Sequence, residues 1–159
     1  MKRVIILGPG GSGKSTMGRR LGEILGIPVI ELDKIFWQPG LAAMPRPQWL
    51  EAQKKLAEKN KWIMEGDLGP YDDLEGRLPV ADTIIFLDFS LARCAWRVAR
   101  RGLERADFWL WLLNYRNRYR PMLMAAMSAQ VPRANLYVLP DPGAVGRFLA
   151  EVTSSQGKS

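Results

Sequence analysis

The sequence predicts an α/β fold in three layers, with a five-stranded parallel sheet and helices on both of its faces. Two observations predict this class. Apolar runs alternate with helical patterns along the chain, and they fall at residues 4–7, 27–30, 62–64, 83–87 and 136–139. The first run leads directly into residues 8–16, which fit the spacing G-x-x-x-x-G-K-[ST] between a strand and a helix.

This glycine-rich segment has the composition of a phosphate-binding loop, or P-loop. Its glycines let backbone N–H groups turn inward, and the helix that follows directs its positive end at an anion. Lys14 is placed to reach the β- and γ-phosphates, and the Ser15 hydroxyl to hold Mg²⁺. The predicted nucleotide-binding residues are Gly8, Gly10, Gly11, Ser12, Gly13, Lys14, Ser15 and Thr16. The sequence therefore predicts a P-loop NTPase fold that binds ATP and Mg²⁺.

The first helix is predicted to begin at Lys14 and to end near residue 25, with Gly26 as its C-cap. The loop at 34–45 is unusually aromatic. Its Phe36 and Trp37 either line a substrate pocket or pack beneath the next helix, and the sequence leaves both alternatives open. Later elements are a helix at 47–59, a mobile loop with a short helix at 66–79, a helix at 91–103, a helical region with apolar ends at 108–113 and 121–127, and a last helix at 143–152.

The length of 159 residues suits one domain, predicted at residues 1–152 and followed by a flexible tail at 153–159. The chain contains neither an apolar run long enough for a membrane span nor a signal peptide, so we expect a cytoplasmic protein. With Cys94 as the single cysteine and no histidine, disulfides, Cys/His zinc sites and histidine bases are excluded. Catalysis must depend on carboxylates, lysine, arginine and metal.

The positive charge of the chain is concentrated between Arg93 and Arg120. This segment holds eight arginines against Glu104 and Asp107, which leaves +6 of the total net charge of +7. Such a cluster indicates a polyanion, namely nucleotide phosphates, a phosphorylated substrate or a nucleic-acid backbone, because guanidinium groups match phosphate geometry. The alternative is a solvated helical face.

Acidic residues follow the predicted strands at the edge where open α/β sheets bind ligands. Asp33 follows the second strand, Glu65 ends the third and Asp88 ends the fourth. Phosphoryl transfer needs carboxylates near the metal and one that orients or deprotonates the acceptor hydroxyl. The unbroken apolar run before Asp88 favours a metal-binding Walker-B acid, and the alternative is an acid that caps the following helix.

Several segments together resemble the topology-modulation protein family, small bacterial P-loop proteins related to adenylate and shikimate kinases. The segments are 31–40, 62–67, 77–78, 81–88 and 94–101, and the resemblance covers most of residues 1–150. The chain departs from the family pattern at two places. Glu31 stands where the family usually has histidine, and residues 65–68 read Glu-Gly-Asp-Leu where the family has Asp-Gly-Asn-Tyr.

The resemblance implies a kinase-like ATP-binding fold of the nucleoside-monophosphate or shikimate kinase type. In such kinases the metal-linked acid commonly ends strand three, so we favour Glu65 for the metal, with Ser15 and Asp88 as further candidates, and Asp33 as the acceptor-side base. Arg97 and Arg101 reproduce a pair of arginines, four residues apart, that contacts phosphates in adenylate-kinase relatives; Arg116 or Arg120 would supply a second pair.

The resemblance also makes the region from Arg93 to Arg120 a lid. Only residues 102–107 separate its first helix from the next apolar run, which predicts a short or helical lid. Because lid closure excludes water from a phosphoryl group in transfer, a reduced lid would permit hydrolysis of ATP.

Three functions remain open at this point. The first is an ATP-dependent phosphotransferase acting on a nucleotide or small metabolite, with Lys14, Asp33, Arg97 and Arg101 as catalytic residues. The second is a regulatory NTPase that acts with nucleic acid through the surface from Arg93 to Arg120, for instance in modulating DNA topology. The third is a nucleotide-binding protein that has lost catalysis.

Overall fold

The structure of the chain is a computed structural model that describes residues 1–102 and 106–157. Within these residues the strands are β1 (Arg3–Leu7), β2 (Val29–Glu31), β3 (Trp37–Gln38), β4 (Ala42–Ala43), β5 (Trp62–Glu65), β6 (Thr83–Leu87) and β7 (Asn135–Leu139). The α-helices are α1 (Lys14–Leu25), α2 (Leu32–Phe36), α3 (Arg46–Ala57), α4 (Leu91–Ala99), α5 (Ala106–Asn114), α6 (Arg120–Ser128) and α7 (Pro142–Gln156).

The main sheet is parallel throughout and has the strand order β2-β5-β1-β6-β7 over the described ranges. The predicted α/β fold and its five strands are confirmed. Strand β1, which leads into the P-loop, lies between β5 and β6, so the chain segments after these three strands meet at one edge. From Val4 to Leu7 the side chains of β1 are fully buried, as expected for a sheet covered on both faces.

The aromatic loop after β2 forms a small substructure that its sequence pattern did not predict. Strands β3 and β4 pair as a two-stranded antiparallel hairpin that follows α2. Phe36 is buried, and its ring lies 5.2 Å from the ring of Trp49 in α3, whereas Trp37 is only half-buried. Both alternatives for this loop therefore occur, one for each residue: Phe36 packs beneath the next helix, and Trp37 lines the cavity described below.

The segment between β5 and β6 consists of three single 3₁₀ turns in place of the predicted loop and short helix. Arg77 fixes these turns, because its side chain is fully buried and forms two hydrogen bonds, of 2.9 and 2.7 Å, with the carboxylate of Asp72. Gln53 of α3 also accepts a hydrogen bond from Arg77 and donates one of 2.8 Å to the carbonyl of Asp73. A buried cation in the middle of a polar segment therefore ties it to the core.

Helix α5 continues into α6 through a π-helical turn at Tyr115–Tyr119. Such turns interrupt regular α-helices and often occur at functional sites. Helix α4 ends at Ala99, earlier than predicted, and residues 103–105 of the predicted lid connection lie outside the described residues.

The last helix is longer than predicted, since α7 extends through residues 153–156 of the expected flexible tail. The hydroxyl groups of Thr153, Ser154 and Ser155 donate to backbone carbonyls three or four residues earlier, which satisfies these side chains within the helix. Residues 158–159 of that predicted tail lie outside the described residues. In the described part of the chain, no helix is both long and apolar enough to cross a membrane.

Candidate active site

The P-loop adopts a backbone that requires glycine at several positions. Gly8, Gly11 and Gly13 have φ angles of 148°, 80° and 95°, in the region that L side chains rarely adopt. A Cβ atom at Gly8 would also lie 2.8 Å from the carbonyl oxygen of Leu87 in β6. The loop therefore fits closely between β6 and α1, whose N-terminal end begins at Lys14.

Two basic side chains donate hydrogen bonds to carbonyl groups of the loop. Lys14 Nζ donates hydrogen bonds of 2.8 Å to the carbonyl of Gly8 and 3.2 Å to that of Pro9, so it lies over the loop. Arg97 of α4 donates from Nη1 to the carbonyls of Gly11 and Ser12, at 3.3 and 3.4 Å. The Ser12 Oγ is buried and has no hydrogen-bond partner in the described part of the chain.

Glu65 and Ser15 form the part of the site that fits a divalent cation. Glu65 is 2% exposed, and burial raises its pKa, while a hydrogen bond from Ser15 and the charge of Lys14 oppose that rise. Its second oxygen, Oε2, is buried and has no hydrogen-bond partner. Among the described residues no cluster of three or more acidic, cysteine or histidine side chains could hold a metal alone. The arrangement suits Mg²⁺, which is usually bound by one or two protein groups together with substrate phosphates.

Asp33 lies in helix α2, which follows β2. Its surface is open to solvent at the mouth of a cleft, yet the surrounding protein shields the carboxyl group and raises its pKa. The positive charge of Lys14 opposes this rise, and the negative charges of Asp72 and Glu31 add to it. A carboxylate with a raised pKa beside a phosphate-binding loop is suited to accept a proton from a hydroxyl group.

Lys14, Ser15, Asp33 and Glu65 line one cavity of about 500 Å³ at the carboxyl ends of the strands. Gly8, Ser12 and Arg97 are not among its lining residues. The P-loop, Asp33 and Glu65 contribute its polar part. Arg101 and Phe108 approach from the segment that follows β6, and a Cβ atom at Gly10 would clash with the Phe108 ring. The cavity thus lies between the phosphate-binding loop and the arginine-rich region, as expected for a nucleotide site with a lid.

Asp88 is not among the residues that line this cavity. Its carboxylate instead forms a two-point ion pair with Arg120, with distances of 2.8 Å to Nε and 2.6 Å to Nη2. Ser90 caps helix α4 in its place, since the Ser90 hydroxyl accepts a hydrogen bond from the N–H of Arg93. Neither sequence interpretation of Asp88, as a metal ligand or as a helix cap, matches this geometry. Neither arginine predicted for a second phosphate-binding pair lines the cavity: Arg116 is exposed to solvent, and the guanidinium group of Arg120 is paired with Asp88.

The sequence analysis missed a buried polar pair beside the cavity. Tyr115 donates a hydrogen bond of 2.8 Å to Oδ2 of Asp67, and the N–H of Gly69 donates to Oδ1 of the same carboxylate. Burial raises the pKa of Asp67 to about 6, and burial together with Asp67 raises that of Tyr115. The pair joins the segment after β5 to the π-helical turn. Asp67 stands at a position where the chain departs from the pattern of the topology-modulation family that it resembles, and this departure was the available sequence signal.

Comparisons with known proteins agree with this geometry. No family model matches the chain. Over 87 residues, which are 52% of this chain and 42% of the relative, it is 37% identical to an adenylate kinase from Mycobacterium leprae. Structurally it resembles a shikimate kinase from Acinetobacter baumannii, solved in complex with shikimate, with a TM-score of 0.71, 16% identity and coverage of 99% and 94% of the two chains.

The fold is that of the P-loop kinases. A gluconokinase from Sinorhizobium meliloti also has this architecture, with a TM-score of 0.59, 18% identity and coverage of 99% of this chain and 92% of that one. At these identities the structural likeness concerns the fold. The match spans less than half the length of these adenylate kinase relatives.

Proposed function

We propose that this protein is an ATP-dependent phosphotransferase that moves the γ-phosphoryl group of ATP to a hydroxyl group of a small molecule. One observation carries the proposal: the P-loop lysine, the Ser15–Glu65 pair and the Asp33 carboxylate line the same cavity. The small P-loop kinase relatives in sequence and structure support the same activity.

Each group has a separate task in this proposal. The backbone N–H groups of the P-loop, together with Lys14 and the unpartnered Ser12 hydroxyl, bind the phosphates. Ser15 and Glu65 hold Mg²⁺, directly or through water. Bound Mg·ATP supplies the phosphoryl group and the metal charge. Lys14 then neutralises negative charge on the transferring phosphoryl group, for which it must leave the loop carbonyls that it now contacts.

Asp33 is the proposed acceptor-side base. It lines the cavity near Lys14, and its raised pKa favours taking a proton from the acceptor hydroxyl as the bond to phosphorus forms. Replacement of Asp33 by asparagine should lower kcat by roughly 10²–10⁴-fold, as for general bases in other enzymes, and leave ATP affinity unchanged. Unchanged turnover in Asp33→Asn would exclude this role.

The arginine-rich region is the proposed lid, and Arg97 and Arg101 are its candidate phosphate ligands. Arg97 already contacts the carbonyls of Gly11 and Ser12, and Arg101 lines the cavity. Phe108 and Trp111 close the same side with apolar surface. Closure of this lid over bound ATP would exclude water from the reacting phosphoryl group, which favours transfer over hydrolysis.

The test is ADP formation from Mg·ATP by purified protein, with and without small hydroxyl acceptors. Lys14→Ala should lower the rate by roughly 100-fold or more, because it removes a charge that the transition state requires. Lys54→Ala, at an exposed position of α3 away from the cavity, is the matched control and should keep the full rate. Equal rates in both variants would refute the proposal.

A second candidate is the regulatory NTPase that acts with nucleic acid, the function suggested by the resemblance to topology-modulation proteins. It is favoured by exposed arginines outside the cavity, which are Arg93, Arg100, Arg116 and Arg118. Binding of duplex DNA that weakens steeply with salt, together with ATP turnover that only DNA stimulates, would favour this candidate. The cytoplasmic location and the single-domain organisation stay predictions.

A further inference from the structure

The cavity has two halves that differ in charge. One half is formed by the P-loop and by the segment after β6, and its charged lining residues are Lys14, Arg101 and Asp107. The other half follows β2 and β5, and its charged lining residues are Asp33, Glu65 and Asp67. Among the described lining residues, the second half therefore presents carboxylates and no cation. Because the phosphate-binding loop occupies the first half, the acceptor must enter the second.

Two cations act on the carboxylates of this acceptor half. The charge of Lys14 acts on all three, but Lys14 contacts the phosphate-binding loop and is the proposed ligand of the transferring phosphoryl group. Arg77 influences the pKa of Asp33, so it is close by, but its side chain is fully buried. Both of its terminal nitrogens bond to the carboxylate of Asp72, and they also meet the side chain of Gln53 and, at 3.5 Å, the carbonyl of Gly66. Asp72 thus neutralises the charge of Arg77, and both terminal nitrogens are used within the protein, whereas its Nε is buried without a hydrogen-bond partner.

The remaining walls of the acceptor half are aromatic and apolar. Trp37 and Tyr71 line it, with ring centroids 5.5 Å apart and an interplanar angle of 75°, and the ring of Phe36 supports Trp37 from 4.9 Å. Leu41 and Leu68 add aliphatic surface. Apolar walls with a few convergent polar groups bind a flat ring that carries hydroxyl groups, because the rings take up its faces and the carboxylates accept from its hydroxyls.

We propose that the phosphoryl acceptor is an uncharged molecule of the nucleoside class, which has a flat ring and a hydroxyl-bearing sugar, and that acceptors carrying a phosphate or carboxylate group are rejected. This inference rests on the proposed phosphotransferase function and specifies its substrate. An anionic group in this half would face the carboxylates of Asp33 and Asp67, because Lys14 and the metal proposed at Glu65 are engaged with the phosphates of ATP. In the reaction, the acceptor oxygen forms a bond to the γ-phosphorus, the bond from that phosphorus to the β-γ bridging oxygen breaks, ADP leaves, and Asp33 takes the hydroxyl proton.

A cationic acceptor is disfavoured because positive charge already acts on each carboxylate. The charge of Lys14 acts on Asp33, Glu65 and Asp67, and Asp67 also accepts hydrogen bonds from Tyr115 and Gly69. Bound Mg²⁺ would add further positive charge beside Glu65. An ammonium group would therefore compete with Lys14 and the metal for these carboxylates, whereas a neutral acceptor would not.

The test compares matched acceptors in the ADP-formation assay. Thymidine, cytidine and adenosine are compared with their 5′-monophosphates, with shikimate and gluconate as carboxylates and with ethanolamine as a cation. We expect at least one nucleoside to raise the rate about tenfold or more, and the monophosphates and carboxylates to have no effect. Acceleration by a monophosphate, a carboxylate or ethanolamine instead would overturn this inference and leave the phosphotransferase function standing. ATP binding without acceleration by any acceptor would overturn both.

Two pairs of variants test whether the acceptor half determines the acceptor selectivity. Trp37→Ala should raise KM for the nucleoside about tenfold, whereas Trp96→Ala, at an exposed position of α4 outside the cavity, should leave it unchanged.

Leu41 is 59% exposed at the rim of the cavity, so Leu41→Arg adds a cation there and Leu41→Gln is its neutral control. Leu41→Arg should raise kcat/KM for the monophosphate relative to the nucleoside by about tenfold. Equal ratios in the two Leu41 variants would contradict the electrostatic basis of the selectivity.

Discussion

Removing the ion pair between Asp88 and Arg120 should destabilise the fold without lowering ATP turnover. The two side chains meet at 2.8 and 2.6 Å through both oxygens of the carboxylate, and the hydrogen bond with Asp88 raises the pKa of Arg120. The pair joins the end of β6 to the first turn of α6. Its role in this structure is therefore to hold the arginine-rich region against the sheet.

The expected free energy follows from the burial of the pair. The Asp88 side chain is 13% exposed and that of Arg120 is 32% exposed, so the pair lies between surface pairs, worth about 0–1 kcal/mol, and buried pairs, whose disruption costs about 3–5 kcal/mol. With a discount for the exposed guanidinium, we expect a coupling energy of about 1–2 kcal/mol. A double-mutant cycle of Asp88→Ala and Arg120→Ala, measured by urea unfolding, gives this quantity directly.

The same residue distinguishes the structural role from a metal-binding one. Asp88→Asn should keep the rate of ADP formation within about twofold of the unsubstituted protein, whereas Glu65→Gln should lower it and weaken its Mg²⁺ dependence. If Asp88→Asn lost about 100-fold in turnover while its unfolding free energy stayed constant, Asp88 would be a metal ligand and the assignment given above would be refuted.

Further predictions concern the lid contact, the buried pair and the N-terminal edge of the sheet. Gly10→Ala should lower the melting temperature because its methyl group would clash with Phe108, and adding Phe108→Ala should restore part of the loss; a melting temperature unaffected by Gly10→Ala would show that the ring moves freely. Tyr115→Phe should cost about 1–3 kcal/mol in urea unfolding, since it removes a hydrogen bond to buried Asp67, and a loss below about 0.5 kcal/mol would contradict the contact. Burial acts to raise the pKa of Asp82, but three hydrogen bonds to its carboxylate outweigh burial and lower the pKa below 3.8. The ionised Asp82 therefore stabilises the fold above pH 3.8, and this stabilisation is lost as the pH falls through the lowered pKa. Asp82→Ala should therefore destabilise the protein more at pH 7 than at pH 3 in thermal melts, and an equal difference at both pH values would count against this explanation.

The sequence was sufficient to predict the main sheet and the P-loop because both have strong local signals. Apolar strands buried on both faces appear as continuous hydrophobic runs, and the loop motif needs its glycines at fixed positions. The start of β2 was predicted two residues too early, at residue 27. The N–H of Ile27 bonds to the carbonyl of Gly22 as part of the cap of α1, so this apolar residue belongs to the turn.

Features that depend on distant partners could not be predicted. Hairpin strands of two residues, such as β3 and β4, are too short to show a period. Asp88 follows an apolar run as a Walker-B acid does, and only the fold shows that Arg120, 32 residues away, occupies its carboxylate. The pairing of Asp67 with Tyr115 spans 48 residues, and although the departure at Asp67 marked the position, nothing local indicated its partner.

The destination of the γ-phosphoryl group tests the proposed activity most directly. With ATP labelled at the γ-phosphate, Mg²⁺ and a nucleoside, the label should appear on the nucleoside as a monophosphate, and Lys14→Ala should abolish this product. Release of the label only as inorganic phosphate, at the same rate with and without every acceptor, would show that the protein hydrolyses ATP and would contradict phosphotransfer as its function.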